Sequence, residues 1–501
     1  MREQEANPFD PPEKPGARRR RLGYLLIGAV VIIGLAVGTA VYVVNRGPEE
    51  CGAGVEKQNG ECVGVTDGSF VFDPALEAIE GKILAENRRQ DGKPAVTVAF
   101  LGPLTPKTMN SINPDRVRAQ LEGAYLAQRA ANAGDANPKI RLVLANEGDQ
   151  ELAWPMVVDK LKAMKDGPEH LVAVIGLSVS IQATADGAAE LARNGIPIVA
   201  ATVAADNLNS TAAGLGHGRI EGFTKVNIDV ADEFAAIGRY LSGRPELRTA
   251  MLVGDNNPID LYAASLTNDF KTVLKNYWDA GGQRIYPYNG APGSQGIRNQ
   301  FQTIATGLCG VSPPDLVFYA GRASLLPSFI THLRQRQCER GRTITVVSGS
   351  DATSLKSVLP PPTESDAKVS VIFSALADPL SLGDPRFNPD QPQYQRFADA
   401  FVREGFDPAD IADGWAIMTH DSMLAAATAI HRATGQSDVL PTPGGVRDQL
   451  YLANAPNTAI PGAGGTFMID STSGDVVGRR VPVLELQADG TLVVHAVYPQ
   501  G

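Results

Sequence analysis

The chain has 501 residues, a hydrophobic content of 43% and a formal net charge of −10. This length exceeds one ordinary hydrophobic core, and the composition is that of a globular protein. After residue 46 there are 38 basic and 51 acidic residues, about −13 in charge, and no basic cluster. Because phosphate binding needs clustered Lys and Arg, this composition excludes nucleic acid as a partner.

The N-terminal part predicts a membrane anchor. Residues 22–44, LGYLLIGAVVIIGLAVGTAVYVV, contain no charged residue, and about 20 apolar residues suffice to span a bilayer. Lys14 and the arginines at 18–21 precede this run, whereas only Arg46 follows it closely. The positive-inside rule then places a disordered tail, 1–21, in the cytoplasm. We expect a single-pass protein of the cell membrane with an extracellular C-terminal part.

The alternative is a cleaved signal peptide, for which Gly38-Thr39-Ala40 offers a cleavage site. Signal-peptide apolar cores span only about 7–15 residues, so a retained anchor is favoured. Residues 45–94 are then a juxtamembrane region that contains a short cysteine loop.

All four cysteines follow the apolar run. Cys51 and Cys62 bracket the Gly-rich loop, and Cys309 and Cys338 flank one strand–helix unit. Four cysteines allow three pairings, and an even number outside the cell favours disulfides, here the two local ones. The alternative is four unpaired thiols. No CxxC or His-rich spacing accompanies them, so we expect no zinc or other metal site.

From residue 95 onward, short apolar runs alternate with amphipathic helical segments, which is typical of parallel βαβ units. A first series of strands is predicted at 95–101, 140–144, 171–176 and 196–201. A second series is predicted at 249–254, 284–288, 315–321, 343–349 and 368–376. Residues 467–497 alternate in polarity between turn signals at 473–474 and 489–490, which predicts a β-meander. The expected fold class is α/β, with two doubly wound lobes built on parallel sheets.

Several segments, in this order, resemble one receptor family. They are VAFLGPLTP at 98–106, RAQLEGAYLAQRAAN at 118–132, VIGLSVSIQATA at 174–185, NGIPIVAAT at 194–202, GFTKVNIDVADEFAAIGRYL at 222–241, DGWAIMTHDSMLAAATAI at 413–430 and GGTFMIDSTSGDVVGRRVPVLEL at 464–486. The part after residue 94 is similar to type I periplasmic-binding-protein-like receptors of the leucine/isoleucine/valine-binding class, the substrate-binding proteins of branched-chain amino acid ABC transporters.

The resemblance implies two lobes joined by a three-segment hinge. Lobe 1 is expected at 95–225 and 378–456, and lobe 2 at 226–377 and 457–501. It further implies a small polar ligand clamped between the lobes, an ABC-type permease as partner, and no cofactor. The sequence has no GxSxG, HExxH or P-loop motif, so we expect no catalytic residues and no enzyme activity.

Ligands of open α/β sheets bind at the carboxyl ends of the strands, so the loops there carry the candidate ligand-binding residues. Those residues are Thr105, Ser178, Ser180 and Thr202 in lobe 1, and Tyr262, Arg322 and Asp351 in lobe 2. The two serines offer hydroxyl donors for a carboxylate, near a helix start that favours anions. For each candidate, the alternative is a helix cap or a solvated loop group.

The sequence departs from the amino-acid receptors at three points. Val203-Ala204 stand where the family has an Ala-Thr pair, and the family's second-lobe tyrosine aligns nearer Ile259 than Tyr262. Residues 290–294 contain no carboxylate for an ammonium group, and an unpaired buried charge is costly. Amino-acid binding therefore requires Asp351 or Asp255. An extracellular sensor or scaffold domain with a degenerate or non-amino-acid cleft is the alternative function.

Overall fold

Two seven-stranded sheets, one in each lobe, form the framework of the chain from Gly52 onward. The computed structural model describes residues 51–107, 112–210, 216–310, 313–435 and 439–500. The expected tail, 1–21, and anchor, 22–44, lie outside these described residues. Among the described helices, none combines the length and the apolar character that crossing a bilayer requires.

The secondary structure elements alternate as the sequence predicts. The strands are β1 (Val55–Gln58), β2 (Glu61–Thr66), β3 (Ala95–Gly102), β4 (Lys139–Asn146), β5 (Leu171–Gly176), β6 (Ile198–Ala200), β7 (Phe223–Lys225), β8 (Ala250–Asp255), β9 (Ile285–Tyr288), β10 (Leu316–Ala320), β11 (Ile344–Val347), β12 (Val369–Ser374), β13 (Ile460–Gly462), β14 (Gly465–Ile469), β15 (Val476–Val477), β16 (Arg480–Leu486) and β17 (Leu492–Pro499). The helices are α1 (Glu77–Arg88), α2 (Pro114–Ala131), α3 (Trp154–Asp166), α4 (Gln182–Arg193), α5 (Val230–Ser242), α6 (Leu261–Thr272), α7 (Lys275–Ala280), α8 (Ile297–Gly307), α9 (Leu326–Arg334), α10 (Leu355–Val358), α11 (Pro379–Leu382), α12 (Gln391–Arg403), α13 (Trp415–Thr434) and α14 (Pro443–Tyr451). The 3₁₀ turns within the described ranges are Pro74–Leu76, Ser350–Ser354 and Pro408–Ile411.

The sheet of lobe 1 has the order β1-β2-β4-β3-β5-β6-β7. Its strands from β4 to β7 run parallel, whereas β2 pairs antiparallel with β4 and β1 antiparallel with β2. The parallel strands are almost wholly buried because helices cover both faces, which explains their continuous apolar runs. The prediction of an α/β fold on mainly parallel sheets is confirmed.

Lobe 1 begins earlier than the sequence analysis placed it. Asn59 and Gly60 both have a positive φ and close a two-residue hairpin between β1 and β2, the geometry that Asn-Gly favours. Val65 of this hairpin lies opposite Ala145 of β4. Helix α1 follows, and the Asn87 side chain exchanges hydrogen bonds of 2.7 and 2.9 Å with the Leu142 backbone. This part of the segment assigned to a juxtamembrane region is therefore an integral part of the lobe.

Helices α2 and α13 pack closely against each other in lobe 1. Gly123 lies at their contact, where an added Cβ would collide with the carbonyl oxygen of Ala416. A glycine is needed here because the two backbones approach more closely than a side chain allows. Helix α13 is thereby fixed to α2, although about 300 residues separate the two helices in the sequence.

The sheet of lobe 2 has the order β17-β16-β12-β11-β10-β8-β9. Strands β8 to β12 run parallel, and β16 and β17 are added antiparallel at one edge. Cys309, after α8, and Cys338, after α9, form a disulfide. Cys51 and Cys62 are also disulfide-bonded, so the described chain has no free cysteine.

Chain segments near 226–229, 375–390 and 452–480 connect the lobes. The last of these carries β13, β14 and β15, which form a small antiparallel sheet. It is fixed to lobe 1 because buried Asp421, on α13, accepts hydrogen bonds from the Ala463 and Gly464 N–H groups, at 2.6 and 3.0 Å. Arg479 pairs with the same carboxylate at 2.8 Å. The second lobe therefore resumes at β16 and not at residue 457.

Candidate functional site: the cleft between the lobes

Loops that follow the parallel strands of the two lobes contact each other directly. The N–H of Leu261 donates to the Ser180 carbonyl at 3.1 Å, and the N–H of Gln182 donates to the Ile259 carbonyl at 3.1 Å. A single antiparallel bridge joins Ile181 to Asp260. The loop after β5 in lobe 1 is thus paired, backbone to backbone, with the loop after β8 in lobe 2.

Four of the predicted ligand-binding residues come together at this junction. The Arg322 guanidinium donates to the Ser180 carbonyl at 3.2 Å and lies 4.8 Å from the Tyr262 ring centre. The Tyr262 hydroxyl accepts a hydrogen bond of 3.1 Å from the Asp351 N–H. Asp260 holds Arg322 in place through two parallel bonds of 2.7 and 2.8 Å. Such a bidentate carboxylate pair fixes both the position and the plane of the guanidinium.

Lobe 1 contributes an arginine to the same network. Arg116, in the first turn of α2, donates to Asp351 at 2.7 Å and to Asp413 at 3.0 Å. Its guanidinium lies 4.7 Å from the Trp415 ring centre. A continuous set of contacts therefore runs from Arg116 through Asp351 and Tyr262 to Arg322, and returns to lobe 1 at Ser180. We call this set the latch network.

The remaining predicted residues lie behind this junction or away from it. The Ser178 hydroxyl donates to Gln120 at 3.0 Å, and the Thr202 hydroxyl donates to the Ser178 carbonyl at 2.9 Å. Thr105 donates to Glu61 of the hairpin at 3.2 Å. All three are buried and hydrogen-bonded to the protein. The Ser180 hydroxyl likewise accepts from the N–H groups of Ala204 and Ala205, at 3.0 and 3.2 Å.

The carboxylates considered as ammonium partners also have protein partners. Asp351 accepts from Arg116 and, at 2.8 Å, from the Ala323 N–H. Asp255 accepts from the N–H groups of Asn257 and Gly290, at 2.9 and 2.8 Å. Burial raises the pKa of Asp255 despite those hydrogen bonds. These contacts orient both side chains toward the protein and give no support to amino-acid recognition.

Burial dominates the electrostatics of this region. The pKa of Asp413 is raised because desolvation outweighs the attraction of Arg116. Burial also raises the pKa of Glu233, on α5, to about 7, although its carboxyl group accepts from the N–H and hydroxyl of Ser350, at 2.8 and 2.6 Å. An added Cβ at Gly349 would overlap the Tyr262 hydroxyl, so only glycine permits this packing.

Two cavities lie between the lobes, one at each end of the latch network. An apolar chamber of 280 Å³ is lined by Trp154, Ile181, Ala183, Ile259, Pro292 and Arg322, among others. A wider groove of 870 Å³ is lined by Asn113, Arg116, Arg118, Ser324, Lys356 and Asp413, among others. Arg116 stands on the wall of the groove and Arg322 on the wall of the chamber. Small-molecule sites are typically concave and placed between domains, as both of these are.

Sequence reasoning missed Arg116, Asp260, Asp413 and Trp415. Asp260 is the N-cap residue of α6, two positions before Tyr262, and its cap bond to the Ala263 N–H measures 3.0 Å. Asp413 and Trp415 begin the segment 413–430, which the sequence analysis gives only as one of the segments that resemble the receptor family. For Arg116 and Asp260 the available signal was a charged residue at the start of a helix that follows a parallel strand, the edge where ligands bind. No such signal marked Asp413 and Trp415, since α13 follows a 3₁₀ turn.

No family model matches this sequence, and no curated protein matches it. Solved structures do share its fold. A leucine-binding protein from Thermotoga maritima has a TM-score of 0.59 at 19% identity, with 81% of this chain and 99% of that chain covered. A branched-chain amino acid transporter substrate-binding protein from Streptococcus pneumoniae, in complex with isoleucine, has a TM-score of 0.58 at 16% identity, with 81% of this chain and 99% of that chain covered. An ABC transporter solute-binding protein from R. palustris, in complex with 4-hydroxybenzoate, has a TM-score of 0.57 at 13% identity, with 81% of this chain and 97% of that chain covered.

These structures are similar to this chain over almost their full length. The resemblance to leucine and branched-chain amino acid receptors that the sequence analysis stated is thereby confirmed at the level of the fold. The chain has the two-lobed architecture of ABC transporter substrate-binding proteins.

Proposed function

We propose that this protein is a solute-binding protein that clamps a small ligand between its two lobes. The observation that carries the proposal is the apolar chamber, whose wall comes from both lobes at the carboxyl ends of their parallel strands. A ligand there touches both lobes at once, which favours the arrangement in which they meet. The similar structures bind leucine, isoleucine or hydroxybenzoates. No catalytic step is part of the proposal.

The proposal includes delivery of the ligand to an ABC-type permease, and a membrane anchor at 22–44 that holds the domain outside the cell. The apolar run and its flanking charges support the anchor. Two observations test these parts. A permease and an ATPase encoded beside the gene are expected, and the full chain should stay in the membrane pellet after extraction at alkaline pH. Release of the protein by that extraction contradicts the anchor.

Binding is tested with a thermal-shift panel of amino acids, aromatic acids, sugars and neutral aromatic compounds. We expect one chemical class to raise Tm, with a dependence on concentration that follows mass action. Ala183→Trp in lobe 1 and Ile259→Asp in lobe 2 should each abolish the shift, since each changes one wall of the chamber. Ala133→Trp, at an exposed position after α2, is the matched control. If no class raises Tm, the proposal fails.

A sensor or scaffold domain is the second candidate function. The observation that favours it is the latch network, in which the candidate polar groups of the cleft bond to one another. A domain whose lobes hold together through their own contacts can present a fixed surface to a partner. In that case no compound of the panel raises Tm, and the lobes stay together in solution.

A further inference from the structure

The composition of the apolar chamber indicates which chemical class it accepts. Its volume of 280 Å³ lies near the lower end of the range for small-molecule sites, which suits a molecule of one or two rings. Lobe 1 provides Trp154, Ile181 and Ala183. Lobe 2 provides Ile259 and Pro292. Most of the contact area for a ligand is therefore apolar.

Two large apolar side chains stand exposed at this chamber, one on each lobe. Leu152, in lobe 1, is 64% exposed, and Ile259, in lobe 2, is 46% exposed. Transfer of such surface out of water is favourable, and clustered exposed apolar groups commonly mark a binding site. An apolar ligand between them covers part of both.

The charges at the wall disfavour an anion. Arg322 is the cation among the described residues that line the chamber, and its Nε and Nη2 donate to the two carboxylate oxygens of Asp260, so its charge is already balanced within the protein. A ligand carboxylate at this wall would add a negative charge beside Asp260 and would have no counter-charge of its own. Such an uncompensated buried charge is strongly unfavourable. Asp186 adds a second carboxylate to the same wall.

We propose that the apolar chamber binds a small, mainly apolar molecule of one or two rings that carries no negative charge. This inference rests on the proposed solute-binding function and names its ligand class. It sets this protein apart from the similar structures that bind hydroxybenzoic acids or amino acids, all of which carry a carboxylate.

The test uses two fluorescent probes with the same ring system. Naphthalene-1-sulfonamide is uncharged, and naphthalene-1-sulfonate carries one negative charge on the same two rings. We expect the uncharged probe to bind the residue 51–501 domain and the full chain at one site, at least tenfold more tightly than the sulfonate. Ala183→Trp should abolish that binding, and Ala133→Trp should leave it unchanged. Saturation-transfer NMR with benzamide against benzoate repeats the comparison with a single ring.

The outcomes separate this inference from the function on which it rests. Equal or tighter binding of the sulfonate and of benzoate, or probe binding that survives Ala183→Trp, overturns the inference. If neither neutral compound binds while an amino acid or aromatic acid raises Tm, the inference is wrong and the solute-binding function stands. If no probe and no metabolite of the panel binds, both fail.

Discussion

Replacement of Arg116 by Met tests whether the latch network holds the lobes together. Arg116 and Asp351 are each about 8% exposed at their side chains, and Asp413 is the second carboxylate on the same guanidinium. Removal of one partner from a buried ion pair costs about 3–5 kcal/mol, since a charge stays buried without compensation. In this variant two carboxylates, those of Asp351 and Asp413, are left buried without their cation.

The protein can avoid this cost by separating the lobes, because the two carboxylates are then hydrated. Since about 1.4 kcal/mol is a factor of ten, ~3–5 kcal/mol shifts the equilibrium toward open lobes by roughly 10²- to 4 × 10³-fold. We therefore expect Arg116→Met to open the cleft and to change the stability of each lobe little. A compact chain of about 450 residues has a radius of gyration near 22 Å, and the variant should exceed the wild-type value in small-angle X-ray scattering.

Arg118→Met is the matched control. Arg118 lies on the same helix and pairs with Asp410, at 2.9 and 3.1 Å, but both residues belong to lobe 1. Its removal should leave the radius of gyration unchanged. The latch interpretation is wrong if Arg116→Met lowers Tm by several degrees while its radius of gyration equals the wild-type value. It is also wrong if Arg116→Met and Arg118→Met have the same radius of gyration.

Three further predictions concern stability. Glu233 has a folded pKa of about 7, raised from 4.5, so it contributes stability at low pH that is lost as the pH rises from about 4.5 through 7. Glu233→Gln should remove up to about 3 kcal/mol of that pH dependence in urea titrations at pH 5 and pH 8, and identical slopes in both proteins contradict the assignment. Gly123→Val should separate α2 from α13 and lower the free energy of unfolding by at least ~1–3 kcal/mol. Gly92→Val is the control, because Gly92 lies at an open loop position where a side chain meets no neighbour and only the positive φ is strained, so its loss of stability should be smaller. Equal losses of stability in the two variants refute the close approach of the helices at Gly123. Reduction of Cys309–Cys338, or its replacement by two alanines, should cost about 2–5 kcal/mol because the bond closes a 29-residue separation, and an unchanged urea midpoint refutes that estimate.

The sequence predicted the framework well for a physical reason. Strands buried on both faces, such as β3 and β5, are continuous apolar runs, and these are visible without a structure. The order of the strands and the edge where ligands bind then follow from the rules for parallel sheets. Those rules led to Ser180, Tyr262, Arg322 and Asp351, which the structure places in one network.

The partners of these residues could not be predicted in the same way. Arg116 and Asp351 are 235 residues apart, and their contact exists only because the lobes meet. Thr105 donates to Glu61, which lies in the β1–β2 hairpin within the segment that the sequence analysis places in a juxtamembrane region. The Asn59-Gly60 turn of that hairpin was the signal in the sequence that could have placed it in lobe 1. A sequence pattern shows that a side chain is near an edge, whereas its hydrogen-bond partner depends on the tertiary arrangement.

The latch network also affects how much a ligand can stabilise the arrangement in which the lobes meet. A ligand shifts an equilibrium between conformations only by the difference in its affinity for them. The backbone pairing at Ser180 and the ion pair at Arg116 join the lobes through the protein's own groups. Because the polar groups of the latch network bond to one another, the surface offered to a ligand is mainly the apolar wall of the chamber. This reasoning favours an apolar ligand over an amino acid for a clamp of this construction.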